Sequence, residues 1–198
     1  MIRLVGLGPG GTKHITLEAV EIIKRADVVI AFARIAKTAL QIRAEVKTID
    51  RVDQIVDMLN ADREIAILAS GDPCFYGILD FLQRNGIAID QVVPGISSIQ
   101  YMMARLKKSW HSAALLSFHG RECSIEELRN SKTSIVLTDS SYTPNYISRL
   151  LSNMGVKGKI FVGYNLSYED ELIIEKQIGA DIDDYSALAV VVIENEMD

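Results

Sequence analysis

Five consecutive apolar residues, Ile65-Ala66-Ile67-Leu68-Ala69, run straight into Ser70-Gly71-Asp72-Pro73. A run this short and this apolar suits a strand buried on both faces, as inside a parallel sheet. Glycine reaches backbone angles closed to other residues, and proline fixes its own φ while disfavouring helix in the residue before it. The strand therefore ends in a sharp, preformed turn that holds Asp72. The residues after it predict a helix over 75–83. Ligands of open α/β sheets bind outside the carboxyl ends of the strands.

The same punctuation occurs twice more. Residues 2–7, apolar but for Arg3, run into Gly8-Pro9-Gly10-Gly11, and residues 87–93 close on Pro94-Gly95. Helical signals lie between these strands. Thr16 is placed to cap a helix with Leu17, Val20, Ile23 and Ala26 on one face. A strand over 27–31 follows, with Arg34 just beyond it, then a strand remnant and a helix within 48–59. Ser97 is placed to cap a helix bearing Ile99, Met102, Met103 and Leu106. Alternation of strand and helix predicts an α/β fold with a mostly parallel sheet and helices on both faces.

Lys107-Lys108-Ser109-Trp110-His111 breaks the pattern, being polar, basic and without helical period. A boundary there divides the chain into an N-terminal lobe, 1–108, and a C-terminal lobe, 109–198. Beyond it a strand is expected over 113–118, then a turn at His119-Gly120-Arg121. A capping box follows from Ser124 to Glu127, then a strand over 134–137 and a helix over 144–154 closed by Gly155. Strands over 159–162, 172–176 and 187–193, with little helix between them, predict a mixed sheet in this lobe.

Composition narrows the function classes. The chain has 198 residues and is 48% hydrophobic, enough to bury roughly 70% of its unfolded surface. A net charge of −5 argues against a general nucleic-acid surface. Cys74 and Cys123 make neither a metal-type pair nor a disulfide framework, which fits a reducing, cytoplasmic setting. No apolar run approaches the roughly 20 residues that span a bilayer. The N-terminus becomes a glycine turn too soon for a signal peptide. No metal-ligand cluster and no Ser-His-Asp arrangement is evident.

Gly6-Leu7-Gly8-Pro9-Gly10-Gly11 matches G-x-G-x-x-G after a strand, which alone suggests a dinucleotide. Two features weigh against it. The fingerprint opens a helix on its glycines so that the helix N-terminus meets a pyrophosphate. Here Pro9 and Thr12-Lys13-His14 postpone the helix to about Thr16. The second strand also runs to Arg34 rather than to the acid that would hold a ribose; Arg34 is able to serve a 2′-phosphate, so NADP is weakened and not excluded. The bland alternative for each glycine turn is a turn and nothing more. Three such turns after three parallel strands share one edge, and that convergence favours a ligand. Met102 and Met103 fit core packing, and Glu169-Asp170-Glu171 fits solvated surface. Arg121 follows an apolar strand and is able to hold a carboxylate in a bidentate contact, and His119 is able to act as acid, base or donor.

VGLGPGG at 5–11, ADVVIAFAR at 26–34, ASGDPCFYG at 69–77 and PGISSIQYMMARL at 94–106 resemble the tetrapyrrole (corrin/porphyrin) methyltransferases. SFHGR at 117–121, TDSSYTP at 138–144 and GYNLSYEDE at 163–171 are similar to the branch that methylates C5 of a cobalt-precorrin-7 or precorrin-6Y substrate. Gly11 stands where the family pattern GPGD has its acid. The resemblance implies a two-lobed homodimer that binds S-adenosylmethionine in the cleft between lobes. It places Pro9, Ser70, Gly71, Asp72, Phe75, Ser97 and Ser98 at the cofactor, with Thr138 and Leu166 from the second lobe. A corrin precursor is a polycarboxylate, and Arg34, Arg105, His119 and Arg121 are its expected partners. His119 and Arg121 are also the catalytic candidates. No general base is named. Some members are fused to a second enzyme that methylates C15 and removes a carboxyl group. This chain has no room for it, so a separate protein is expected to supply that step. The alternatives are another ring position or a non-tetrapyrrole substrate, an NADP-dependent oxidoreductase, and a binding module without turnover.

Overall fold

The computed structural model of the protein describes residues 1–59, 62–118, 125–186 and 189–196. The chain forms two compact units, Met1–Ser98 and Ile99–Asp198. The second therefore takes in nearly all of the helix that precedes the basic stretch from Lys107, where the sequence suggested the break.

In the first unit, strands β1 (Ile2–Gly6), β2 (Val28–Phe32), β3 (Lys47–Ile49), β4 (Ile65–Ala69) and β5 (Gln91–Val93) alternate with helices. These are α1 (Leu17–Arg25), α2 (Ala33–Ala39), α3 (Gln54–Met58) and α4 (Leu79–Arg84). The strands form one sheet in the order β3-β2-β4-β1-β5, and every pairing is parallel. The unbroken apolar run of β4 now has its reason, for all five of its residues are buried. Ala66 and Leu68 enter one core with Ala19, Ile23 and Ile35. Ile65 and Ile67 enter another with Ile55 and Leu82. Full burial of each isoleucine or leucine stabilises by about 2 kcal/mol.

Local signals set several element ends. Thr16 caps α1, its hydroxyl accepting from the Ala19 amide at 3.2 Å. Leu17, expected on the buried face of that helix, is instead 84% exposed. It lies in the first turn, and the buried stripe runs through Ala19 and Ile23. Helix α4 starts at Leu79, later than the expected residue 75, for a backbone reason. Tyr76 sits in the left-handed region at φ 50°, and Gly77 is packed so closely on the Pro73 carbonyl that a Cβ would overlap it. Strand β5 is shorter than the expected strand over 87–93, and Ile87 reaches the core from outside it. Helix α2 had no sequence signal, yet Ile35, Ala36 and Ala39 are buried in it.

The second unit contains α5 (Ser98–Leu106), α6 (Ile125–Asn130) and α7 (Pro144–Asn153). Its strands are β6 (Ala114–Ser117), β7 (Thr133–Leu137), β8 (Gly158–Tyr164), β9 (Leu172–Gln177) and β10 (Ala189–Asn195). Their order is β6-β7-β10-β8-β9. Strands β6 and β7 are parallel and the other pairings antiparallel, which is the mixed sheet the sequence predicts. Leu128, Ile147 and Leu151 pack with Ile160, Val162, Tyr164 and Val191 in one core. Thr143 caps α7 by accepting from the Tyr146 amide. Ser124, the expected N-cap before α6, lies outside the described residues, as do His119 and Arg121.

Candidate functional site

Parallel strands deliver their turns to one edge, and in the first unit the three glycine turns meet there. Gly71 donates to the Gly8 carbonyl at 2.8 Å, and Gly8 donates back to the Gly71 carbonyl at 3.3 Å. Both glycines are in the left-handed region, Gly8 at φ 83° and Gly71 at φ 65°. The third turn presses in from the other side. A Cβ on Gly6 would lie 2.5 Å from the Gly95 nitrogen and 2.7 Å from the Gly71 carbonyl oxygen. Gly71 in turn abuts the α5 entrance, with the Ser97 Cα 3.6 Å from where its Cβ would be. Backbone therefore packs on backbone across the whole edge.

Side chains fix the turns. Asp72 Oδ1 accepts from the Cys74 amide at 2.8 Å, and Oδ2 accepts from the Gly95 amide at 3.4 Å. One carboxylate thus spans the second and third turns. The buried Thr38 hydroxyl donates to the Gly10 carbonyl at 2.9 Å and ties α2 to the first turn. Sequence reasoning missed Thr38, because a threonine inside a helix with no other signal announces nothing. Arg34 stands at the start of α2 with its Nη2 3.4 Å from the Ser70 Oγ, so it is at this edge. Pro9 is buried between Gly8 and Gly10, Phe75 is half-buried, and its ring meets Tyr76 edge-to-face at 4.7 Å. Ser97 is buried, 8% exposed, immediately before α5. Burial, followed by the charge of Asp72, pushes the Cys74 thiol above its ordinary value, which leaves it protonated and a poor nucleophile near neutrality.

In the second unit Thr138 follows β7 and is 2% exposed. Its hydroxyl donates to the Ala189 carbonyl and accepts from the Ala189 amide, both at 3.0 Å. Leu166 is 5% exposed, with its side chain over Gly163, where a Cβ would lie 2.8 Å from Leu166 Cδ2. Arg105 on α5 is paired through Nε with Glu171 Oε1 at 2.8 Å. Glu171 was read from sequence as solvated surface. Its side chain is 13% exposed, and it also accepts from the Ser167 amide at 2.7 Å. Burial alone would raise its pKa. The Ser167 amide, the Tyr101 hydroxyl and Arg105 outweigh that and hold it below the ordinary carboxylate value.

The first turn does not open a helix. A single 3-10 turn, Thr12–His14, separates it from α1, so no helix N-terminus faces Gly8 to Gly11 as a pyrophosphate site needs. Among the described residues no group of histidine, cysteine and carboxylate side chains is placed to hold a metal ion. No helix among them is long and apolar enough to cross a membrane.

A parallel α/β unit with glycine turns interlocked at its sheet edge, joined in sequence to a mixed-sheet α/β unit, is the architecture of a known family. Residues 1–180 match the family model "Tetrapyrrole (Corrin/Porphyrin) Methylases", and the chain belongs to that family. Among curated relatives, "Probable cobalt-precorrin-7 C(5)-methyltransferase" of Methanocaldococcus jannaschii is 32% identical, with 99% of each chain covered. "Cobalt-precorrin-7 C(5)-methyltransferase" of Salmonella typhimurium is 34% identical, over 98% of this chain and 99% of that one. The crystal structure of the precorrin-6Y methylase of cobalamin biosynthesis from Archaeoglobus fulgidus superposes with a TM-score of 0.77 at 26% identity. That superposition covers 100% of this chain and 99% of the other.

Proposed function

We propose that this protein is an S-adenosylmethionine-dependent C-methyltransferase of corrin-ring biosynthesis. Its substrate is a cobalt-precorrin-7 or precorrin-6Y type intermediate, methylated at C5. Family membership supplies the cofactor, since tetrapyrrole methylases use S-adenosylmethionine. Two relatives matched end to end carry the C5 position in their names. The observation that carries the reading is the interlock of Gly6, Gly8, Gly71 and Gly95 at one sheet edge. It makes a backbone-walled platform without a phosphate-binding helix N-terminus, which suits a sulfonium nucleoside and not a dinucleotide.

The chemistry asks little of the side chains. The sulfonium methyl is already electrophilic. C5 of the ring supplies the electron pair, a carbon–carbon bond forms, and the carbon–sulfur bond breaks to leave S-adenosylhomocysteine. The protein aligns carbon, methyl and sulfur, and orientation of this kind supplies about 7 kcal/mol or more. Pro9, Ser70, Gly71, Asp72, Phe75, Ser97 and Ser98 are proposed to line the cofactor, with the Asp72 carboxylate also shaping the turns through the two amides it accepts from. Thr138 and the main chain of Leu166 complete that set. Arg34, Arg105, His119 and Arg121 are proposed to meet the ring carboxylates, and His119 and Arg121 stay the candidates nearest to catalysis. The working form is proposed to be a cytoplasmic homodimer.

The test is calorimetric titration with S-adenosylmethionine, S-adenosylhomocysteine and NADPH in parallel. Saturable one-site binding of the two adenosyl ligands and none of NADPH is expected. Binding of NADPH alone would overturn the assignment.

A further inference from the structure

The turn that leaves β8 is held in an unfavourable backbone shape. Asn165 has φ 47° and Ser167 has φ 70°, a left-handed conformation that costs any residue with a Cβ. These two residues flank Leu166. The turn also lacks the glycines that would make the shape easy. Something else must hold it, and Glu171 has the contacts to do so. Its Oε2 accepts from the amide of Ser167, one of the strained residues, at 2.7 Å. Its Oε1 accepts from Arg105 Nε of α5 at 2.8 Å, and Tyr101, one helical turn earlier on α5, hydrogen-bonds the same carboxylate. Within the turn Asn165 Nδ2 donates to Asp170 Oδ2 at 2.7 Å, and the Tyr168 amide donates to the Asn165 carbonyl at 3.0 Å. Arg105 thus serves the turn as well as any substrate.

We propose that Glu171 is a positioning residue, which clamps the 165–171 turn to α5 and so fixes the main chain of Leu166 where the cofactor meets it. The inference rests on the methyltransferase reading and on Leu166 as a cofactor neighbour. Glu171 itself touches no ligand. Its contribution is to keep Asn165 and Ser167 left-handed before the ligand arrives, so that binding does not have to order them.

The full-length chain and three variants test this: Glu171→Ala, Glu171→Ala combined with Ser167→Gly, and Ser148→Ala. Ser148 lies elsewhere in the second unit, where its Oγ donates to the Ala180 carbonyl and accepts from the Gly179 amide. Each is titrated with S-adenosylhomocysteine and melted without ligand. Glu171→Ala is expected to weaken binding about tenfold, the size of one released left-handed residue. Ser167→Gly in that background removes the strain and is expected to recover most of the loss. Ser148→Ala is expected to lower the melting temperature with unchanged affinity. Unchanged affinity in Glu171→Ala, or no recovery in the double variant, would overturn the positioning role alone. Affinity that simply follows melting temperature across all variants, Ser148→Ala included, would overturn it too. A wild-type chain that binds no S-adenosylhomocysteine would overturn the proposed function, and with it this inference.

Discussion

Gly95→Ala isolates the packing of the three turns. Gly95 has no left-handed φ to lose, so the substitution is judged on space alone. The new Cβ would overlap the Gly71 carbonyl oxygen and lie 2.8 Å from the Gly6 carbonyl carbon and 2.9 Å from the Gly6 Cα. All three obstacles are backbone, in strands or in turns tied to strands, so no flexible side chain can swing aside. Overpacking at a site of this kind costs about 3 kcal/mol. For a protein of this length that lowers the melting temperature by roughly 6–12 °C. The turns must also part, so affinity for S-adenosylhomocysteine falls with it. Gly86→Ala is the comparison. Gly86 is at φ 72° with nothing within 4 Å of its would-be Cβ. It loses only the left-handed preference, about 1 kcal/mol, or roughly 2–4 °C, and leaves binding unchanged. Calorimetric melting and ligand titration of both variants decide the matter. A Gly95→Ala protein that melts within a degree or two of wild type, or a Gly86→Ala protein that suffers more, would refute the backbone-on-backbone account.

Three further outcomes are expected. Glu171 is held below its ordinary pKa in the folded protein, so its contribution is complete above the unfolded value of about 4.3 and is lost as pH falls through the folded value. Urea midpoints measured from pH 7 down to pH 3 are therefore expected to fall less steeply in Glu171→Gln than in wild type, and parallel curves would count against the clamp. Asp72→Ala removes the acceptor shared by the Cys74 and Gly95 amides. It is expected to cost about 2 kcal/mol in a denaturant series and to weaken binding of S-adenosylhomocysteine in titration. Thr138→Val keeps the volume of the side chain and strips the Ala189 amide of the hydroxyl it donates to. A loss of about 2 kcal/mol is expected, read from the urea midpoint.

The fold was legible where burial writes itself into composition. A strand with core on both faces has no polar position to spare, so β4 declared itself in five letters and the glycine turns marked its end. The mixed character of the second sheet followed from strands succeeding one another without room for crossover helices. Helix α2 was illegible because only seven residues, Ala33–Ala39, carry it, too few for a period to show. The late start of α4 was hidden because Tyr76 does not advertise a left-handed backbone, and the closeness of Gly77 to Pro73 exists only in three dimensions. The site divided in the same way. Glycine turns at a parallel edge are local signals joined by topology, and they were readable. Glu171 was not, because an acid in an acidic run looks solvated until Arg105, dozens of residues earlier in the chain, is seen beside it. That the Asp72 carboxylate also accepts from the Cys74 and Gly95 amides was not readable either, because it rests on hydrogen-bond partners and not on residue type.

The central claim is methyl transfer to one carbon of a corrin precursor. The most direct measurement is single turnover with S-adenosylmethionine labelled with carbon-13 in its methyl group and a cobalt-precorrin-7 type substrate, the product mapped by NMR. The account predicts one labelled methyl, bonded to C5, with one equivalent of S-adenosylhomocysteine released. A labelled methyl at another ring position, or S-adenosylhomocysteine that binds while no label reaches the ring, would contradict it.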